Sequence, residues 1–164
     1  MKKALLTTTL FLASCGGYTA LYQPEQETQV TVGTIQMESA ARNVGERRVA
    51  QRVNQRLRRM FTGTDQAYRL DVNIDESTST LAVRRDATVA RAQLSLDGDI
   101  NLYQTDKADP VFSTTVTASA AYNSENTPYS TESGKTFARQ QAADALADEI
   151  ARVVWLALRE QKQE

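Results

Sequence analysis

Histidine is absent from this 164-residue chain, and with it go the commonest general base, the commonest metal ligand and the usual partner of a serine or cysteine nucleophile. A single cysteine, Cys15, excludes an internal disulfide, so stability has to come from packing. Apolar runs are short. None approaches the roughly 20 residues needed to cross a bilayer as a helix. There is no glycine-rich phosphate loop and no serine elbow. Carboxylate pairs such as Asp97 with Asp99 and Asp71 with Asp75 are two or four residues apart and read as solvated strand faces. These absences place the chain outside most enzyme classes, with no catalytic residue, no cofactor and no metal site expected.

The strongest positive signal lies near the start. Lys2 and Lys3 precede the apolar stretch Ala4 to Leu12, and Leu12, Ala13, Ser14 and Cys15 form a lipobox: an apolar residue, two small ones and the lone cysteine. A peptidase that needs narrow side chains beside the scissile bond fits this pattern. Residues 1–14 are therefore expected to be a lipoprotein signal peptide. Cys15 would become the lipidated N-terminus, its thiol joined to diacylglycerol and its new amine acylated, typically by palmitate. Two lipid signals give stable anchoring where one does not. Residues 15–27 are rich in Gly, Thr, Gln and Glu with little periodicity and read as a lipidated tether, leaving 28–164 as one domain, enough chain for a single core.

Charge is nearly balanced overall but unevenly spread. Residues 42–91 hold eleven arginines against six acidic residues, whereas 97–164 hold six basic against eleven acidic. Such asymmetry commonly marks contact with polyanions or an anionic membrane, and arginine suits bidentate phosphate binding better than lysine. The export signal removes nucleic acid from consideration.

The first β-branched run, Gln29 to Met37, reads as a strand. A helix follows, opened by Asn43 with Glu46 as a capping box and closed before Gly63. Within it Val49, Val53, Leu57 and Met60 form an inward stripe, and Arg48, Arg52, Arg56 and Arg59 form a second stripe about 100° around. That arginine stripe is either a solvated flank or a surface for an anion. Residues 67–75 alternate as a half-buried strand with Leu70, Val72 and Ile74 inward. Because Leu81 and Val83 fall in the opposite phase, Asp75 to Ser79 is expected to contain a bulge or loop. Ala90 to Tyr103 is the clearest strand, its apolar residues at even positions, and after the turn Asp106 to Pro110 a fourth strand, Phe112 to Tyr122, keeps that phase. Its outward row Ser113, Thr115, Thr117 and Ser119 carries no charge to deter pairing at an edge. A last helix is expected from Glu132 to Arg159 with Phe137, Ala142, Leu146, Ile150, Val153 and Ala157 inward. The order β-α-β-β-β-α describes an α+β domain: a four-stranded, mixed sheet with both helices on one face.

These elements behind a lipobox resemble the LPS-assembly lipoprotein family (LptE). The local marks are Cys15-Gly16 followed by Leu21-Tyr22, the basic helix ending near Leu57, the run Asp86-Ala87-Thr88 to Arg91 leading into the long strand, Tyr122-Asn123 leading through Pro128-Tyr129-Ser130, and the terminal helix with Ala142-Ala143-Asp144 and Leu146 to Ile150. The resemblance implies an outer-membrane lipoprotein, lipid-anchored and facing the periplasm, that plugs and helps assemble an LptD-type β-barrel and contacts lipopolysaccharide in transit. Gly16, in place of an aspartate after the lipidated cysteine, agrees with sorting to the outer membrane in that family. The family's basic contact falls on Arg84 and Arg85, with Arg91 beside them. Arg48, Arg52 and Arg56 of the helix stripe would be secondary anion contacts, as would Lys135, because a second family contact falls near Thr131. Ser113, Thr115, Thr117 and Ser119 would meet the barrel wall. The alternative is a periplasm-facing envelope lipoprotein that acts as a protein-binding scaffold without lipopolysaccharide binding.

Overall fold

The computed structural model describes residues 30–37, 44–61, 67–83, 89–125 and 127–161. Cys15, the tether, Arg84 and Arg85 lie outside the described residues. In chain order the elements are β1 (Val30–Met37), α1 (Val44–Met60), β2 (Tyr68–Val83), β3 (Val89–Gln104), β4 (Pro110–Glu125) and α2 (Pro128–Gln161). The class is α+β. β2, β3 and β4 form an antiparallel meander, and β1 lies parallel to β2 at the other side, giving the order β1-β2-β3-β4.

Alternation decides which face is buried. Leu70, Val72 and Ile74 on β2, Leu94, Leu96, Ile100 and Leu102 on β3, and Val116, Ala118 and Ala120 on β4 are all buried, while their odd-numbered neighbours face away. In the direct pairings Ile74 stands opposite Gly98, and Gly98 opposite Val116. Gly98 leaves room for α2: a Cβ there would lie 3.3 Å from Leu146 Cδ1. The helix consequently settles close to the sheet.

α1 buries one stripe, Val49, Val53 and Leu57, and hands over to Phe61, whose ring lies 5.6 Å from that of Trp155. α2 is buried along a broader arc that meets both sheet and α1. Leu146, Ile150 and Val154 are fully enclosed, each removing enough apolar surface to contribute about 1.5–3 kcal/mol. Ala142, Ala143, Ala147 and Ala151 are also buried. Methyl side chains let three elements approach one another closely.

Three expectations are corrected. First, β2 runs unbroken through Asp75 to Ser79, and the irregularity falls later, between Thr80 and Ala82, with Leu81 half-exposed. Glu76, rather than an apolar residue, takes the inward place after Ile74. Second, Phe137 is 69% exposed, and Ala138 and Arg139 occupy the inward arc instead. Third, α2 begins at Pro128, four residues earlier than expected. Thr127 precedes it as the cap: its carbonyl accepts from the Thr131 amide at 3.3 Å and from the Ser130 hydroxyl at 3.0 Å. Proline suits the first helical position because its missing N–H would have no intrahelical acceptor anyway.

Candidate functional site

The arginine stripe of α1 meets the acidic stripe of α2. Arg52 donates from Nε and a terminal nitrogen to the two carboxylate oxygens of Asp144, each at 2.8 Å. One turn on, Arg56 grips Asp148 in the same way at 2.7 and 2.8 Å. Both residue numbers advance by four, so the helices run parallel and the rungs repeat in register. Bidentate arginine–carboxylate geometry favours specificity as well as energy. Arg52 is 44% exposed, so each rung contributes about 0.2–1 kcal/mol. These guanidinium groups are committed to α2. An anion at this stripe would have to displace a carboxylate.

Hydrogen bonding from Arg52 holds the Asp144 carboxyl below its ordinary value of 3.8, against a smaller opposing effect of desolvation. Arg52 and Arg56 are correspondingly raised by their bonds to Asp144 and Asp148. A depressed carboxyl contributes stability that is fully present above its unfolded value and lost as pH falls through the folded one. Asp144→Asn is therefore expected to lower stability modestly at neutral pH and to flatten the acid limb below about pH 4. Urea unfolding of both proteins between neutrality and pH 2 measures it; identical acid limbs would remove Asp144 from the acid response.

A second ionic cluster sits deeper. Arg139 on α2 grips Glu76 on β2, with Nε to Oε2 at 2.8 Å and a terminal nitrogen to Oε1 at 2.7 Å. The two side chains are only 9% and 6% exposed. Lys135 Nζ lies 4.0 Å from Glu76 Oε1, and Glu132 lies 3.8 Å from Arg139. Sequence reading missed this pair. The available signal was Glu76 itself, a charged residue where the inward alternation of Leu70, Val72 and Ile74 calls for an apolar one.

The sheet face away from the helices is polar and ordered. Thr117 donates to Asp97 and Thr115 to Asp99, each at 2.6 Å, and Ser113 donates to Asn101 at 2.8 Å. Each donor stands directly opposite its acceptor in the β3–β4 register. The hydroxyl row thus belongs to an anionic surface that also includes Asp75, directly opposite Asp97, and the nearby Asp71. Like charges opposite one another weaken a sheet. The hydroxyls of β4 offset this by solvating two of the carboxylates.

The expected site residues consequently fall in separate places. Ser113, Thr115, Thr117 and Ser119 share the open face of β4, exposed as expected. Arg91 is exposed on β3 between Ala82 and Asn123. Lys135 leans towards Glu76, Arg48 is exposed on α1, and Arg52 and Arg56 form the helix seam. Among the described residues no group of three or more metal-ligating side chains occurs, and no helix is long and apolar enough to cross a membrane.

No protein-family model matches the chain, and no curated protein matches it. Solved structures do. A candidate lipoprotein from Caulobacter crescentus CB15 superposes with a TM-score of 0.52 at 16% identity, covering 84% of this chain and 93% of the other. A minor lipoprotein from Acinetobacter baumannii gives 0.53 at 14% identity, covering 82% and 95%. Rare lipoprotein B from Shewanella oneidensis gives 0.43 at 14% identity over 76% and 94%. At such identities the first two likenesses define the fold: a meander sheet layered with two helices over nearly the full length of both proteins.

Proposed function

We propose that this protein is a lipid-anchored outer-membrane lipoprotein of the LPS-assembly type, facing the periplasm, which docks into and helps assemble an LptD-type barrel and contacts lipopolysaccharide. The observation that carries this reading is the pairing of a lipid-attachment motif at Cys15 with a sheet that has one face sealed by helices and the other left polar. The inner wall of an outer-membrane barrel is polar, and a face of aspartates, asparagines and hydroxyls suits it better than an apolar face would. Two proteins that share this fold over most of their length are described as a candidate and a minor lipoprotein, in keeping with the coarser part of the reading. In this reading the role is binding and assembly.

Photo-crosslinkers at Thr115 and Thr117 in intact cells are expected to capture one large outer-membrane β-barrel. In parallel, Arg84→Ala/Arg85→Ala is expected to weaken lipopolysaccharide binding at least about tenfold, since charge-assisted hydrogen bonds contribute roughly 1.5–3 kcal/mol each, while barrel capture survives. Capture of soluble periplasmic proteins in place of a barrel, with unchanged lipopolysaccharide affinity in the double variant, would leave the scaffold reading in possession.

A further inference from the structure

We propose that the free edge of β4 pairs with the β4 of a second copy, joining two sheets into one across a two-fold axis at Thr117. β4 is the terminal strand of the sheet, bonded to β3 on one side and to no other strand among the described residues. It is 16 residues long. A terminal strand presents a row of unpaired N–H and C=O groups, which proteins normally guard with charge, proline, bulges or brevity. β1, at the opposite edge, has two of these guards: it is only 8 residues long and its register breaks between Val32 and Ile35. On β4 the register with β3 shifts only at the start, between Pro110 and Phe112, and none of these guards occurs from Phe112 to Ser124. Its one proline is its first residue, and from Val111 to Ser124 nothing is charged.

What selects a second copy as the occupant is the strand's complementarity to itself. Two-fold symmetry requires the antiparallel arrangement with the same patch on both partners. Thr117 lies at the middle of β4, so the register centred there pairs the strand along nearly all its length. In that register Thr115 stands opposite the partner's Ser119 on the open face. On the covered face Phe112 stands opposite the partner's Tyr122. Both rings are only partly buried within one copy, and aromatic pairs across strands are among the stabilising ones. Within the paired span from Pro110 to Ser124 no position places like charges together; acidic residues, Glu125 and Asp109, meet only at the two ends. The hydroxyls of Ser113, Thr115 and Thr117 are already engaged by β3, so pairing draws on the backbone and does not disturb them. The inference goes beyond the barrel reading and does not rest on it; it describes the protein free of that partner.

Cysteine crosslinking of the full-length lipidated protein, purified without any barrel in mild detergent, tests it. Cys15 is then held as a thioether, so an introduced cysteine is the one free thiol. Residues directly opposite in an antiparallel pair have Cα atoms about 4.5–5.5 Å apart, within disulfide reach. Thr117→Cys is expected to give a disulfide-linked dimer on mild oxidation. Ser113→Cys alone is expected to give none, because two copies of residue 113 would lie about 27 Å apart along the paired strands. Ser113→Cys mixed with Ala121→Cys is expected to link. On sedimentation the unsubstituted protein is expected to be a dimer, and Thr117→Lys, which sets two positive charges together at the axis, a folded monomer. Equal linking by Thr117→Cys and Ser113→Cys alone would mean random collision in the micelle and overturn the proposal, as would failure of the mixed pair or a monomer at every concentration reached.

Discussion

Replacing Arg139 with methionine is expected to lower folding stability by about 3–5 kcal/mol, because the substitution strands Glu76 as an uncompensated charge beneath α2. Glu76 is 6% exposed and its carboxylate receives three contacts within 3.1 Å from Arg139. Lys135, at 4.0 Å, offers partial neutralisation and favours the lower end of that range. The double variant Arg139→Met/Glu76→Leu is expected to recover most of the loss, since well-packed apolar replacements of a buried pair are often neutral or stabilising. Denaturant unfolding of the two single variants and the double closes the cycle. A single-variant cost below about 1 kcal/mol, the range of exposed pairs, would mean that water reaches Glu76 and that the pair is not a core feature.

The second large effect concerns anchoring. Cys15→Ser is expected to abolish both lipid attachment and cleavage of the leader, leaving a full-length precursor that incorporates no labelled palmitate. The thioether forms through a sulfur nucleophile, and a serine hydroxyl is a far weaker one at neutral pH. Each buried methylene of an acyl chain contributes about 0.8 kcal/mol to membrane partition, so losing the chains removes the anchor outright. Metabolic labelling followed by membrane fractionation reads both outcomes. A substituted chain that is still processed and acylated would show that Cys15 is not the point of lipid attachment.

The meander was legible because strict alternation over β3 and β4 leaves one way to place the apolar face, and the even-numbered residues Ala92 to Leu102 of β3 and Val116, Ala118 and Ala120 of β4 are buried accordingly. β2 was legible only as far as Ile74. Beyond it the inward position is filled by Glu76, and a pattern reading has no means of knowing that a cation 63 residues later will neutralise it. The same limit applies to the helix seam. Arg52 and Arg56, and Asp144 and Asp148, each show a spacing of four, but only the parallel alignment of α1 and α2, 92 residues apart in the chain, turns two stripes into one ladder. Phe137 stays outside because the inward phase of α2 falls on Ala138 and Arg139, and the large ring is left in solvent. Of the anion contacts inferred by resemblance, Arg84 and Arg85 lie outside the described residues, and their assignment still rests on sequence alone.

The position of α2 after every strand in the chain sets the order in which the molecule can become water-compatible. Synthesis runs from the N-terminus, so the meander emerges with Leu70, Leu94, Ile100 and Val116 uncovered and waits for Leu146, Ile150 and Val154 to arrive. Until they do, the nascent sheet displays a greasy side together with an unguarded edge, the combination that makes partly made β proteins sticky.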